Sequence, residues 1–114
     1  MTGLRGAASA SSSVPEVAPS AAQALLEGGA LALDVREPHE YAEGHVAGAV
    51  LVPLGQLVGK LGELPHSQTI VVVRRSGRRS SEAVRMLQAA GFSGALNLAG
   101  GTIAWREAGL PIEV

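Results

Sequence analysis

Residues 69–73 (TIVVV) are the feature that most limits the folds open to this chain. An unbroken β-branched run presents no distinct water-facing side, so it reads as a central strand covered on both faces. Such a strand needs a layer above and a layer below, and the flanking sequence offers helices for both. Ser20 as N-cap with Gln23 three residues later reads as a capping box, opening a helix through Ala24, Leu25 and Leu26 that stops at Gly28-Gly29. Leu54, Leu57, Val58 and Leu61 recur at spacings of three and four and predict a short amphipathic helix over 54–61. Ala83, Val84, Leu87 and Ala90 share one face of a helix over 80–90, with Gly91 as its stop. Gly100-Gly101 reads as a close-approach turn opening a last helix through Ile103 and Trp105, which Gly109 and Pro111 end.

Between these helices lie further short apolar runs. Residues 30–35 (ALALDV) form a buried strand ending in a charged turn, 49–52 a strand closed by Pro53, and 95–98 a last strand. Residues 14–17 form an edge strand limited by Pro15, and 36–48 a loop with one turn of helix around 40–43. Strand and helix therefore alternate, which predicts an α/β domain with a parallel sheet between helices. The domain spans 14–114, behind a flexible Ala/Ser-rich tail at 1–13 that has no apolar stretch to act as a signal-peptide core. The expectation is a monomeric cytoplasmic protein. No apolar run approaches the roughly 18 residues of a membrane span. The net charge of −1 gives no bulk reason to expect nucleic acid or membrane as partners.

The near-neutral sum conceals a strong segregation. Residues 74–85 carry Arg74, Arg75, Arg78, Arg79 and Arg85 against Glu82 alone, a local +4 that leaves −5 for the remainder. Ligands of open parallel sheets bind beyond the carboxyl ends of the strands. Residues 74–79 (RRSGRR) occupy such an end, between the central strand and a helix N-terminus. Successive backbone N–H groups in that turn, with the helix dipole behind them, form a cradle for an anion. Pairing with Asp34, Glu37 or Glu40 accounts for some of these arginines. Four cations at one helix start exceed what capping needs, because each opposes the macrodipole by roughly 0.3–1 kcal/mol.

The residues also carry a family likeness. Asp34-Val35-Arg36-Glu37 with Glu40-Tyr41, then Gly44-His45-Val46-Ala47-Gly48-Ala49 and Pro53-Leu54, resembles the first half of the rhodanese homology domain. Arg75-Ser76-Gly77-Arg78-Arg79-Ser80 resembles its active-site loop. Gly91-Phe92, Asn97-Leu98, Gly100-Gly101, Trp105 and Gly109-Leu110-Pro111 resemble its closing segment. The likeness covers residues 14–112 with the motifs in the family's order. It implies a three-layer α/β/α fold around a mostly parallel five-stranded sheet, and a six-residue loop at 74–79 of sulfurtransferase length. Relatives with phosphatase activity have a loop one residue longer. Family members move a sulfane sulfur from a donor such as thiosulfate to an acceptor such as cyanide or a protein thiol, through a persulfide on the cysteine that opens the loop.

This chain contains no cysteine, and the position that resemblance assigns to the nucleophile is Arg74. A guanidinium is permanently protonated and is no nucleophile, and the hydroxyls of Ser76 and Ser80 do not carry sulfane sulfur. Burying the Arg74 charge unpaired would cost several kcal/mol, so it is expected toward solvent or paired with Glu37 or Glu40. Arg75, Ser76, Gly77, Arg78, Arg79 and Ser80 make the expected anion loop. Asp34, Arg36 and His45 are its supporting residues. Asp34 orients Arg79 or the loop backbone, and by resemblance His45 is a structural residue bonded to nearby backbone. Trp105 and Phe92 read as core. The spacing of His39, His45 and His66 matches no zinc pattern, and no cofactor is expected.

Three functions remain open. The chain as written is a non-catalytic module that binds small sulfur-containing or other oxyanions, or a protein partner, through the basic loop. Its lineage is that of a sulfurtransferase seen as an inactive Cys-to-Arg variant, a change one base can make. The third reading is an interaction domain that uses another face.

Overall fold

The structure is a computed structural model, and it describes residues 14–76 and 81–114. The order along the chain is β1 (Glu16–Val17), α1 (Pro19–Glu27), β2 (Leu31–Asp34), α2 (Pro38–Glu43), β3 (His45–Val46) and β4 (Val50–Leu51). Then follow α3 (Leu57–Lys60), β5 (Ile70–Val73), α4 (Ser81–Ala89), β6 (Ala95–Leu98), α5 (Gly101–Glu107) and β7 (Ile112–Glu113). Five strands form one sheet in the order β1-β6-β5-β2-β4, and every pairing in it is parallel. This is the α/β architecture expected, with TIVVV at its centre.

The covering of β5 follows from its period of two. Ile70 and Val72 pack with Leu33, Leu57, Ala83, Val84, Leu87 and Phe92 on the side of α3 and α4. Val71 and Val73 pack with Ala22, Ala32, Leu98 and Trp105 on the side of α1 and α5. All four side chains of the strand are buried. Trp105 and Phe92 belong to the core as expected, and the exposed His66 ring stacks on Phe92 with centroids 4.0 Å apart.

Four local expectations are corrected. Helix α1 starts at Pro19 with Ala18 as N-cap, and Ser20 makes no capping bond. Proline lacks the N–H that a first helical turn leaves unpaired, so it outcompetes a serine one place later. Residues 54–63 form a 3-10 turn at Leu54–Gln56, the single α-turn α3, and a second 3-10 turn at Leu61–Glu63, not a continuous helix. Gly55, Gly59 and Gly62 stand in this stretch and lower its helical propensity, and Val58 is left 67 % exposed. Ala90 is exposed beyond the end of α4. Finally, β3 and β7 pair antiparallel in a separate two-stranded ribbon that no periodicity announces in two-residue strands.

Among the described residues no helix is long and apolar enough to cross a membrane.

Candidate functional site

The carboxyl ends of β2, β5 and β6 lie side by side, with Asp34 level with Val73 and Val72 level with Asn97. The chain leaves β5 at Arg74 and leaves β6 toward Gly100-Gly101, so the two exits meet. Gly100 is in the left-handed region (φ +75°) and caps α5 without a side-chain bond. The first-turn N–H groups of α5 are taken up instead by the neighbouring exit. Thr102 N donates to the Arg74 carbonyl at 2.8 Å, and Ile103 N to the Arg75 carbonyl at 3.1 Å. The Thr102 hydroxyl also reaches the Arg75 carbonyl, at 3.3 Å. Gly101 is the residue that permits this approach. A Cβ there would lie 2.6 Å from the carbonyl carbon and oxygen of Arg75, and closer still to the Arg74 oxygen.

The orientation of these carbonyls decides what the loop presents. In a planar trans peptide the N–H points opposite to the C=O. With the Arg74 and Arg75 carbonyls turned into α5, the N–H groups of Arg75 and Ser76 both point away from it, toward a common side. Neither N–H has an acceptor among the described residues. Arg75 and Ser76 are exposed, whereas Arg74 is half-buried. Arg74 is expected toward solvent or paired with Glu37 or Glu40, and no such pair is present among the described residues: Glu40 instead accepts from the Glu37 backbone N–H at 3.0 Å in the capping box of α2. That box is readable in Glu37-Pro38-His39-Glu40, because a proline at the first helical position leaves Glu37 as the cap. Gly77, Arg78, Arg79 and Ser80 lie outside the described residues.

The supporting residues form a buried ionic clasp beside the loop. Asp34 is 0 % exposed and Arg36 7 %. Arg36 Nε donates to both Asp34 oxygens at 3.0 and 3.1 Å, its Nη2 to Oδ2 at 2.8 Å, and its backbone N–H to Oδ1 at 3.0 Å. Nη2 also donates to the Gly44 carbonyl at 2.8 Å, tying the end of β2 to the entrance of β3. The Asp34 carboxylate is thus engaged by Arg36; the Arg79 named with it above is outside the described residues. His45 Nδ1 lies 2.8 Å from the Tyr41 carbonyl, and its ring stacks on the Tyr41 ring at 3.6 Å. A carbonyl only accepts, so Nδ1 carries the proton and Nε2 faces Glu113 Oε1 at 3.8 Å.

Tyr41 ties this shell to a testable pH response. Its hydroxyl donates to the Ala49 carbonyl at 2.5 Å. Burial raises the phenol above its ordinary value of 10.0, and the carboxylates of Asp34 and Glu113 push the same way. The folded protein therefore holds this proton in a range where the unfolded chain releases it, and stability falls as pH rises past about 10. Urea midpoints taken at pH 9 and pH 11 are expected to fall less for Tyr41→Phe than for the parent. Equal falls would mean that Tyr41 does not govern the alkaline limb.

With this geometry in place, comparison with known proteins defines the class. Residues 18–108 match the model of the rhodanese-like domain, and the chain belongs to that family. It is 39 % identical over 82 residues to a sulfurtransferase of Allochromatium vinosum, covering 72 % of this chain and 77 % of that one. It is 37 % identical over 112 residues to the chloroplastic thiosulfate sulfurtransferase 16 of Arabidopsis thaliana, covering 85 % and 91 %. The crystal structure of a rhodanese-related protein from Thermoplasma volcanium superposes with a TM-score of 0.80 at 27 % identity, covering 87 % of this chain and 97 % of that one. Other relatives are longer: the chain spans 54 % of one from Synechocystis and 40 % of one from Bacillus subtilis. The family frame is present, and the sulfur nucleophile is not: the chain has no cysteine.

Proposed function

We propose that this chain is a rhodanese-like module that runs no persulfide chemistry and binds small oxyanions, thiosulfate and sulfate among them, at the loop opened by Arg74. The observation that carries this reading is the pair of N–H groups of Arg75 and Ser76, unclaimed among the described residues and turned the same way on the loop that the half-buried residue Arg74 opens. Two backbone donors and a cation without a described carboxylate partner match the chemistry of an oxyanion. The positive balance of residues 74–85 adds an attractive field.

Binding to the folded state alone stabilises it by RT ln(1 + [L]/Kd), about 1.4 kcal/mol at ten times Kd. Thiosulfate and sulfate at millimolar concentration are therefore expected to raise the melting temperature above a chloride control of equal ionic strength. Arg75→Glu is expected to abolish the rise. A melting temperature that does not exceed the control in the parent protein would overturn the reading.

A second reading concerns descent and rests on the sulfurtransferases among the relatives. Arg74→Cys is expected to produce thiosulfate:cyanide sulfurtransferase activity where the parent has none. The thiolate attacks the sulfane sulfur, the S–S bond of thiosulfate breaks and sulfite departs. Cyanide then attacks the persulfide, and thiocyanate leaves with the thiolate regenerated. Thiocyanate formation no higher than in the parent would refute an inherited site.

A further inference from the structure

Where α5 meets the loop, one side chain among the described contacts acts on the loop directly. Thr102 is buried at 4 % exposure, its N–H holds the Arg74 carbonyl and its hydroxyl reaches the next carbonyl, that of Arg75. It therefore engages two successive peptide groups. Those are the two groups whose opposite ends are the N–H donors of Arg75 and Ser76. Rotating either peptide by a few tens of degrees re-aims its donor, and hydrogen bonds weaken steeply as their angle closes. Ile103 N also holds the Arg75 carbonyl, but with a backbone donor common to any residue at that place. Only the Thr102 hydroxyl is a side-chain choice.

We propose that Thr102 is a positioning residue for the oxyanion cradle: its hydroxyl, bonded to the Arg75 carbonyl, sets the direction of the Ser76 N–H at the other end of that peptide without touching the anion. This rests on the oxyanion reading above. It makes Thr102 a determinant of affinity that no basic side chain reveals. The hydroxyl, and not the γ-methyl, carries the effect.

The test compares Thr102→Val, Thr102→Ala and Thr102→Ser. Sulfate is titrated by calorimetry, and the amide resonances of Arg75 and Ser76 are recorded without ligand. Valine and alanine are expected to weaken sulfate binding about threefold or more and to shift the Ser76 amide more than that of Arg75, while serine stays within about twofold of the parent. Using two variants without the hydroxyl covers the case in which one fails to fold. Parent-like affinity and an unmoved Ser76 amide in valine or alanine overturn the inference and leave the oxyanion reading standing. Serine behaving like valine overturns it too, by assigning the effect to shape. A parent protein that takes up no sulfate overturns both.

Discussion

Arg36→Ala is expected to cost about 3–5 kcal/mol of stability, because it strands a carboxylate that has no access to water. Among the described residues the Asp34 carboxylate receives four hydrogen bonds, all of them from Arg36, three from the guanidinium and one from its backbone N–H. The substitution leaves only the backbone donor, and it also frees the Gly44 carbonyl. For a domain of roughly 100 residues such a loss lowers the melting temperature by about 15–30 °C. Urea unfolding of the variant beside the parent measures it directly. The double substitution Asp34→Leu with Arg36→Met is expected to regain much of the loss, since a buried pair removed whole leaves no unpaired charge. A cost below about 1 kcal/mol for Arg36→Ala would mean that the pair behaves as a hydrated surface contact.

Gly101→Ala is the second large effect, and its reach extends to the ligand. The backbone there has φ +59°, a conformation that costs an ordinary L-residue roughly 1–2 kcal/mol. The added Cβ also meets the carbonyl groups of Arg74 and Arg75, backbone atoms that move only with the loop itself. Overpacking adds about 1–3 kcal/mol, for a total of about 2–5 kcal/mol. The loop must back away from α5, so oxyanion stabilisation is expected to vanish in the same variant. Gly109→Ala separates the two components. Gly109 has φ +73° with open space around it, so its variant pays the backbone term alone and retains anion binding. Equal losses in the two variants would show that loop contact contributes nothing at Gly101.

What the sequence made legible was whatever a side-chain pattern encodes. TIVVV announced a strand covered on both faces, and the split of Ile70 and Val72 from Val71 and Val73 follows from that. Gly91 and Gly109 marked the ends of helices because positive φ favours glycine. The loop announced itself by its charge and by the motif before it. What stayed hidden was written in the backbone. Nothing in the residue types of 45–46 and 112–113 says that they pair, since register between two-residue strands is set by the chain around them. The Asp34–Arg36 contact was overlooked because i, i+2 side chains on a regular strand share a face but stand about 6.6 Å apart along it, and here the strand ends at Asp34 and the chain bends at Arg36. The first turn of α5 had no capping residue to find, because its partners are main-chain oxygens.

The seating of the loop by main-chain atoms has a consequence for how such proteins change. Among the described residues, the contacts that hold residues 74 and 75 in place use their carbonyls, a glycine, the opening amides of α5 and the Thr102 hydroxyl, and none of them uses the side chain at position 74. Architecture and reactivity are therefore written in separate parts of the molecule. A reactive sulfur can be lost there in a single codon while the surrounding shape persists. Lineages built on this frame are free to abandon turnover and keep recognition.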